Sequence, residues 1–543
     1  MDLYKPESEY DLLFAGGGFS AAVTLAYVLD EIGALWKAGC GPGKAPGAAP
    51  VRIAVCDARG RFPKGLSYSE DEDSSAFMII PASDMMPPDP GGGNAFTDWL
   101  VQEQSSWADR LSQSRNSLVK AWLPALTRAV EKRDFESAFF PRSVVGWFLE
   151  DLAAKAVAAA EADGYAQVDV RPLEIDRVQR NPGGGPLSIS TANSGVFTAG
   201  QLVVAIGSGA FGALCPSEPD GKALMTAPLD NGVSALRREL QDRLQDHDGE
   251  MGPEILVIGS NASSLDVISV LLDLHAEQGK PARITAVSPS GYFPPEYRSM
   301  AISRPDPDPC RALSDLVASD RAPTAQAIHD CAVRDRQNLL QVGAHIGEAK
   351  TLIYDHVLKL IKRLDAEEKR TFVEIYGNGL SRQFFMTSPI YAQLYRDAIA
   401  AGQLRIISGT VKRIQASDAG AGVEYDLAGK AVRDSFDLVV DCSGFECPLS
   451  QSSIPLVQSL FADLGAQQNR SGRGFKTAQD SFEIAPDVFV LGPLFAGNVD
   501  STGICRWHLE TTRGIAEIAR ICAKDLVGRM EISAKTGAPA YPV

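Results

Sequence analysis

The sequence contains no long hydrophobic run. Hydrophobic residues make up 45% of its 543 positions, yet no stretch approaches the ~20 consecutive apolar residues that a membrane helix needs, so a membrane is not an expected partner. Positive charge is also scarce. Lys and Arg number 52 against 68 Asp and Glu, giving a net charge of −16, and no cluster of basic residues interrupts the acidic background. A nucleic-acid backbone needs such a cluster, so no nucleic-acid partner is expected. The nine cysteines are widely spaced. The nearest two, Cys442 and Cys447, do not form a CxxC motif, and no second pair completes a zinc site. Reduced thiols in a cytoplasmic protein are the expectation. The opening residues, Met1 to Tyr10, are polar and acidic, with neither the basic nor the apolar region of a secretory signal. The six histidines are scattered. There is no HExxH, no nucleophile elbow and no paired-carboxylate signature, so no metal site is expected and no catalytic residue announces itself.

What is present is an alternation of short apolar runs with amphipathic stretches, the pattern of α/β architecture. The length is that of two to four domains. Strands are expected at 11–15, 51–55, 167–171, 187–190, 202–206, 254–259, 283–287, 404–408, 422–425, 437–441 and 487–491. Helices are expected at 19–36, 143–162, 262–278 and about 509–529, with a polar, helical stretch from 296 to 370. The Gly/Pro/Ala segment 39–50 cannot be helix. No solenoid-type repeat is visible, but two strand–Gly–helix openings lie about 240 residues apart.

The first opening reads Gly16-Gly17-Gly18-Phe19-Ser20-Ala21 after an apolar strand. This fits G-x-G-x-x-A: Gly16 permits the tight turn, Gly18 lets the backbone approach a pyrophosphate, and Ala21 lets the helix pack close to the strand. The helix N-terminus then offers free N–H groups and the positive end of its dipole to phosphate. Asp57, at the end of the next strand, is placed to accept from ribose hydroxyls. The usual spacing to this acid is ~20 residues; the loop at 39–50 lengthens it here.

With these residues in view, the chain resembles the FAD-NAD(P)-binding, two-dinucleotide-domain flavoproteins, relatives of the flavin-dependent N-hydroxylating monooxygenases. The likeness continues through Gly65-Leu-Ser-Tyr-Ser69, through Met78-Ile-Ile-Pro-Ala-Ser-Asp-Met-Met86 (where Ile79 stands in place of a common asparagine) and through Phe96-Thr-Asp-Trp-Leu100. Pro141-Arg142 with Gly146-Trp-Phe-Leu149, Leu202-Val-Val-Ala-Ile-Gly207 and Val490-Leu-Gly-Pro-Leu494 extend it. The resemblance implies bound FAD, with NADPH or NADH as a further cofactor, and a small-molecule substrate. It places Gly16, Gly17, Gly18, Phe19, Ser20, Asp57, Arg142, Gly207, Gly492 and Pro493 around FAD, although Arg142 also reads as a surface ion-pair residue. Phe96 and Trp99 read as core. It implies two Rossmann-like domains: a discontinuous FAD domain at 1–250 and 451–543, and an NAD(P)-binding-like domain at 251–450 carrying a helical insert at about 296–385.

The second opening, Gly259-Ser260-Asn261-Ala262-Ser263-Ser264-Leu265-Asp266, resembles the G-x-G-x-[ST]-[AM]-x-[DE] of the nicotinamide domain, which makes Gly259, Ser260 and Asn261 candidate cofactor residues. Asn261 replaces the second glycine; asparagine tolerates the left-handed backbone, so the turn can form, but its side chain would crowd a pyrophosphate. The next strand ends at Ser288-Pro289, where the family carries an arginine for the 2′-phosphate of NADP, and Arg298 is the nearby cation. Arg506 and His508, just after the Gly492 turn, and Arg382, in the insert with Arg298, His329 and His345, are the substrate-site candidates. Three readings stay open: an NAD(P)H-using monooxygenase, including amine N-hydroxylation; an FAD oxidase or dehydrogenase without NADPH; and a catalytically silent flavin-binding scaffold. The oligomeric state is not legible.

Overall fold

The computed structural model describes residues 8–40, 49–69, 76–89, 92–181, 184–192, 195–208, 222–245, 252–279, 283–298, 308–444, 448–507 and 511–536. The first sheet runs, in spatial order, Glu483–Ala485, Val488–Val490, Val196–Val204, Ser8–Ala15, Val51–Cys56 and Ala166–Arg171. Neighbours along this path are parallel except at the Glu483–Ala485 edge. Leu12, Leu13 and Phe14 are fully buried, because helices cover both faces of such a sheet and its strands become continuous apolar runs. Helix Phe19–Lys37 packs between helices Arg142–Asp163 and Thr512–Thr536. This position explains why it is apolar almost all round. Among the described residues it is the one helix long and apolar enough to cross a membrane, and it is mostly buried in the protein core.

The second sheet is ordered Leu404–Ser408, Arg283–Ser288, Glu254–Ile258, Leu438–Asp441 and Leu224–Thr226, all parallel. Its last strand precedes residue 251, so the second sheet begins earlier than the expected boundary: hydrogen bonding to Leu438–Asp441 captures a short strand whose three residues give no periodic signal. Helix Val233–Gln245 follows it and packs on helix Ala262–Gln278. The first sheet also carries an antiparallel meander through Ile175–Arg180, Leu187–Thr191 and Val196–Val204, and a separate three-stranded antiparallel sheet, Thr410–Ser417, Gly420–Leu427 and Lys430–Phe436, packs against the second.

Between Arg311 and Arg382 the chain builds a run of helices around its own core of Leu313, Ile328, Ile353, Leu360 and Phe372. Trp507 of the returning C-terminal segment closes that core. Its ring meets Phe372 edge-on at 5.3 Å, and its Nε1–H donates to Ser381 Oγ at 2.8 Å. Phe96 and Trp99 are buried as core residues, their rings 6.2 Å apart, and Trp99 Nε1–H donates to Asp151 at 2.8 Å.

Candidate functional site

Each glycine of the first turn answers a different constraint. Gly16 has φ +102°, and a Cβ there would lie 2.4 Å from the Ala205 carbonyl oxygen. Its N–H donates to Cys56 at 2.8 Å, tying the turn to the second strand. A Cβ on Gly17 would lie 2.8 Å from Asp57 Cβ, and the Gly17 N–H donates to Asp57 Oδ2 at 3.0 Å. Gly18 is the N-cap of helix Phe19–Lys37, in extended conformation with no side-chain cap. A Cβ there would meet only Gly65 Cα, at 3.6 Å, an ordinary contact, so the protein itself leaves room beside Gly18. Gly492 closes the turn from the C-terminal side: at φ +67° its missing Cβ would sit 2.6 Å from Ser20 Oγ.

The turn opens into a cavity of about 820 Å³, near the upper end of the ~300–1,000 Å³ typical of small-molecule sites. The cavity brings together Gly16–Ser20, Asp57, Arg142, Gly207 and Pro493. Its wall also includes Arg59, Glu174, Lys64, Tyr68 and Ser143, and it takes in Ser263 and Cys442 of the second sheet's unit. Asp57 is already committed to the loop: Oδ1 accepts from the N–H groups of Arg59 at 3.1 Å and Arg61 at 2.9 Å, while Oδ2 holds Gly17. It therefore shapes the turn as well as lining the cavity. A dinucleotide fits these residues: uncapped helix amides, a face with room for phosphate at Gly18 and an acid at the adjacent strand end are what its pyrophosphate and ribose require.

Arg142 lines this cavity but is not free. Its Nη2 meets Asp266 Oδ2 at 2.8 Å, and Asp266 is 1% exposed. The Tyr391 hydroxyl donates to Asp266 Oδ1 and accepts from the Phe77 N–H at 3.0 Å. Burial, and then the neighbouring Asp266 charge, drive the Tyr391 hydroxyl well above its ordinary pKa, so it stays a donor. The sequence motif contained Asp266 but gave no sign of this use. Tyr391 carried no signal at all.

The second turn repeats the first. Gly259 has φ +113°, its N–H donates to Val287 at 2.8 Å, and its missing Cβ would lie 2.5 Å from the Cys442 carbonyl oxygen. Asn261 caps the helix at φ −94°, ψ −165°, against −89° and −165° for Gly18. The left-handed tolerance of asparagine is therefore not used: this position is extended, a conformation open to any residue, and Asn261 puts an exposed side chain where the first turn has glycine. Gly259, Ser260 and Asn261 lie outside the cavity wall; Ser263, one turn on, is part of it. The Gly–strand bonds align Ser288 with Asp57. Ser288 Oγ and Ser290 Oγ are 3.0 Å apart, and the Ser408 hydroxyl donates to the Pro289 carbonyl at 3.1 Å, so hydroxyls line this strand end and Pro289 itself offers no charge.

The substrate-site candidates are dispersed. Arg506 donates to Asp500 at 2.8 Å and to Glu517 at 2.7 Å; with 10% of its side chain exposed, it holds the C-terminal segment together. Arg382 is exposed at the end of helix Gly377–Arg382 in the insert. Arg298 is exposed; His329 stacks near Tyr376 at 5.1 Å and pairs with Asp330; His345 caps helix Ile346–Ile361. None of these lines the cavity. His508 lies outside the described residues.

Residues 13–209 match the family model described as FAD-NAD(P)-binding. Uncharacterized proteins of Mycobacterium bovis and Mycobacterium tuberculosis are 25% identical over 552 aligned positions, covering 96% of this chain and 96% of each relative. Among solved structures, the ornithine N-hydroxylase of Kutzneria sp. 744, solved with reduced FAD, NADP+ and L-ornithine, superposes with a TM-score of 0.51 at 14% identity, covering 96% of this chain and 99% of that one. The L-lysine 6-monooxygenase of Pseudomonas syringae gives 0.48 at 14% identity, with 96% and 99% covered. The first of these likenesses is one of fold: two dinucleotide-type sheets with the same overall arrangement.

Proposed function

We propose that the chain is an FAD-dependent monooxygenase that takes reducing equivalents from NAD(P)H and oxygenates a small molecule, with N-hydroxylation of an amine as the leading chemistry. The observation that carries this reading is the single cavity that starts at an uncapped glycine turn and reaches the helix of a second turn with the same backbone geometry. The match of residues 13–209 to an FAD-NAD(P)-binding model and the fold shared with an ornithine N-hydroxylase support it. Residues 8–208 and 448–536 form the discontinuous FAD domain in this reading, and 222–298 with 389–444 the nicotinamide domain.

Bound flavin supplies the hydride-accepting and oxygen-activating chemistry; the protein binds, orients and excludes water. Gly16–Ser20 and the first turn of helix Phe19–Lys37 hold the pyrophosphate, Asp57 fixes the adenosine end, and Gly207 and Pro493 line the remainder. The insert, closed by Trp507, is the element that selects the substrate in this reading. The test is direct: the purified protein is yellow, anaerobic NAD(P)H bleaches it, and oxygen uptake rises with an amine such as ornithine or lysine. Protein that binds no FAD overturns the reading.

A second reading, an FAD oxidase or dehydrogenase reduced by its own substrate, is favoured by Asn261 and Pro289 at the nicotinamide side. Bleaching by substrate and not by nucleotide distinguishes it.

A further inference from the structure

Among the large apolar side chains exposed on the described residues, Tyr292 is the one aromatic, with 57% of its surface accessible. The chain on either side of it is fixed. Phe293 is buried, its ring stacked on Tyr395 at 5.0 Å. Gly291 stands at φ +68°, its missing Cβ 2.6 Å from Ser408 Cβ, and its N–H donates to the carbonyl and the hydroxyl of Ser288, both at 3.2 Å. The Ser290 hydroxyl donates to the Tyr292 carbonyl, also at 3.2 Å. A tight turn thus holds a ring in solvent while burying the ring next to it.

The two glycine turns give that position a meaning. In the first, the Gly16 N–H bonds Cys56, and Asp57, Ala58, Arg59 and Arg61 just beyond it all line the cavity. In the second, the Gly259 N–H bonds Val287 in the same way, so Ser288 corresponds to Asp57 and Tyr292 to Arg61. The segment that borders the dinucleotide cavity in the first unit is the segment that carries the exposed ring in the second. In a unit of this type the strand end meets the adenosine half of the dinucleotide. Ser288, Ser290 and Ser408 bring hydroxyls to it, and Pro289 brings no charge. Adenine offers a flat π-face to an aromatic ring, whatever the ribose carries.

We propose, resting on the NAD(P)H reading above, that Tyr292 is the stacking platform for the adenine of the nicotinamide dinucleotide, so that the second site holds its cofactor by the base where Pro289 supplies no cation for a phosphate. Tyr292 is a binding residue in this role: it touches the adenine alone and takes no part in hydride transfer.

The experiment follows anaerobic bleaching of the holoprotein, as wild type, Tyr292→Ala and Tyr292→Phe, by NADH, NADPH and reduced nicotinamide mononucleotide, which carries the hydride without the adenosine. FAD content and melting temperature are measured alongside. Tyr292→Ala should raise the half-saturating concentrations of NADH and NADPH by the same factor, about tenfold or more, the loss of one base–aromatic stack. Its limiting bleaching rate should not change, as when binding common to ground and transition states is removed. Bleaching of Tyr292→Ala by the mononucleotide should match the wild type, and Tyr292→Phe should keep wild-type affinity for all three. Equal weakening toward the mononucleotide overturns the proposal, as does weakening toward NADPH alone. A lowered melting temperature with unchanged nucleotide affinity also overturns it, by showing the ring to be packed against protein. Each of these results leaves the NAD(P)H reading standing. A wild-type flavin that no nucleotide bleaches overturns that reading and the proposal together.

Discussion

The Arg142 guanidinium and the Asp266 carboxylate meet at 2.8 Å across the seam between the two dinucleotide units. Arg142 begins a helix on the first sheet and Asp266 lies in the helix of the second glycine turn, so the pair ties the two units together beside the Tyr391–Phe77 hydrogen bond.

Removing one partner of a buried pair leaves an uncompensated charge, which costs ~3–5 kcal/mol. Arg142 retains some solvent contact, 22% of its side chain, so Asp266→Asn should destabilise by about 3 kcal/mol, at the lower end of that range. Tyr391→Phe strips a donor from Asp266 and an acceptor from the Phe77 N–H, and should cost about 1–3 kcal/mol. Urea denaturation midpoints check both. If either variant matches the wild type within error, the network does not couple the units.

Gly16 and Gly18 should respond in opposite ways. Gly16→Ala places a Cβ 2.4 Å from the Ala205 carbonyl at positive φ, so it should lower stability with or without FAD. Gly18→Val has ordinary backbone angles and only Gly65 nearby at 3.6 Å, so the apoprotein should fold normally while FAD retention is lost, the branched side chain filling the phosphate position. Melting curves with flavin content per chain separate the two outcomes. A Gly18→Val protein that keeps its flavin would place the pyrophosphate elsewhere.

The parts legible in sequence were those with a local physical signature. Apolar runs such as Leu12–Phe14 gave the buried strands. The small residues at 16, 18 and 21 gave the turn, because a tight bend and phosphate approach demand them at fixed spacing. What was not legible depends on distant partners. Leu224–Thr226 becomes a strand only because Leu438–Asp441 hydrogen-bonds to it. Tyr391 finds Asp266 across 125 residues of sequence. Arg506, read as a substrate candidate from its place after the Gly492 turn, is occupied by Asp500 and Glu517, and the six-residue and eleven-residue separations of those carboxylates form no recognisable motif.

His345 predicts a pH dependence. It caps helix Ile346–Ile361 by accepting from the Gly347 N–H through Nδ1 at 3.1 Å, which requires a neutral ring. Burial first, then the charge of Arg298, lower its pKa from the ordinary 6.5, although Glu296 and Glu348 act the other way. The folded state therefore binds fewer protons than the unfolded one. The stabilisation is fully present above the unfolded value of 6.5 and is lost as pH falls through the folded value. His345→Asn keeps an acceptor cap without titration, so the difference in stability between wild type and variant should shift against wild type as pH is lowered from about 8 to about 5. A difference that stays flat over that range would remove His345 from the pH response.

The final prediction concerns the nucleotide. Helix geometry at the second turn equals that at the first, so the backbone can receive a pyrophosphate there; the side chains decide how well. Asn261 carries a side chain at the N-cap where the first turn has Gly18, and the strand end beyond it presents Ser288 and Ser290 hydroxyls and the uncharged Pro289. A hydroxyl can accept from or donate to a ribose, but a 2′-phosphate needs a cation, and a charge-assisted contact is worth roughly 1.5–3 kcal/mol, or about one to two decades in affinity. NADH and NADPH should therefore bleach the flavin with similar efficiency in anaerobic stopped-flow. Pro289→Arg should shift the ratio toward NADPH by about one to two decades, and Asn261→Gly should improve both nucleotides together. A strong wild-type preference for NADPH would show that another cation, with exposed Arg298 the candidate from the sequence, reads the phosphate; Arg298→Ala would then abolish that preference.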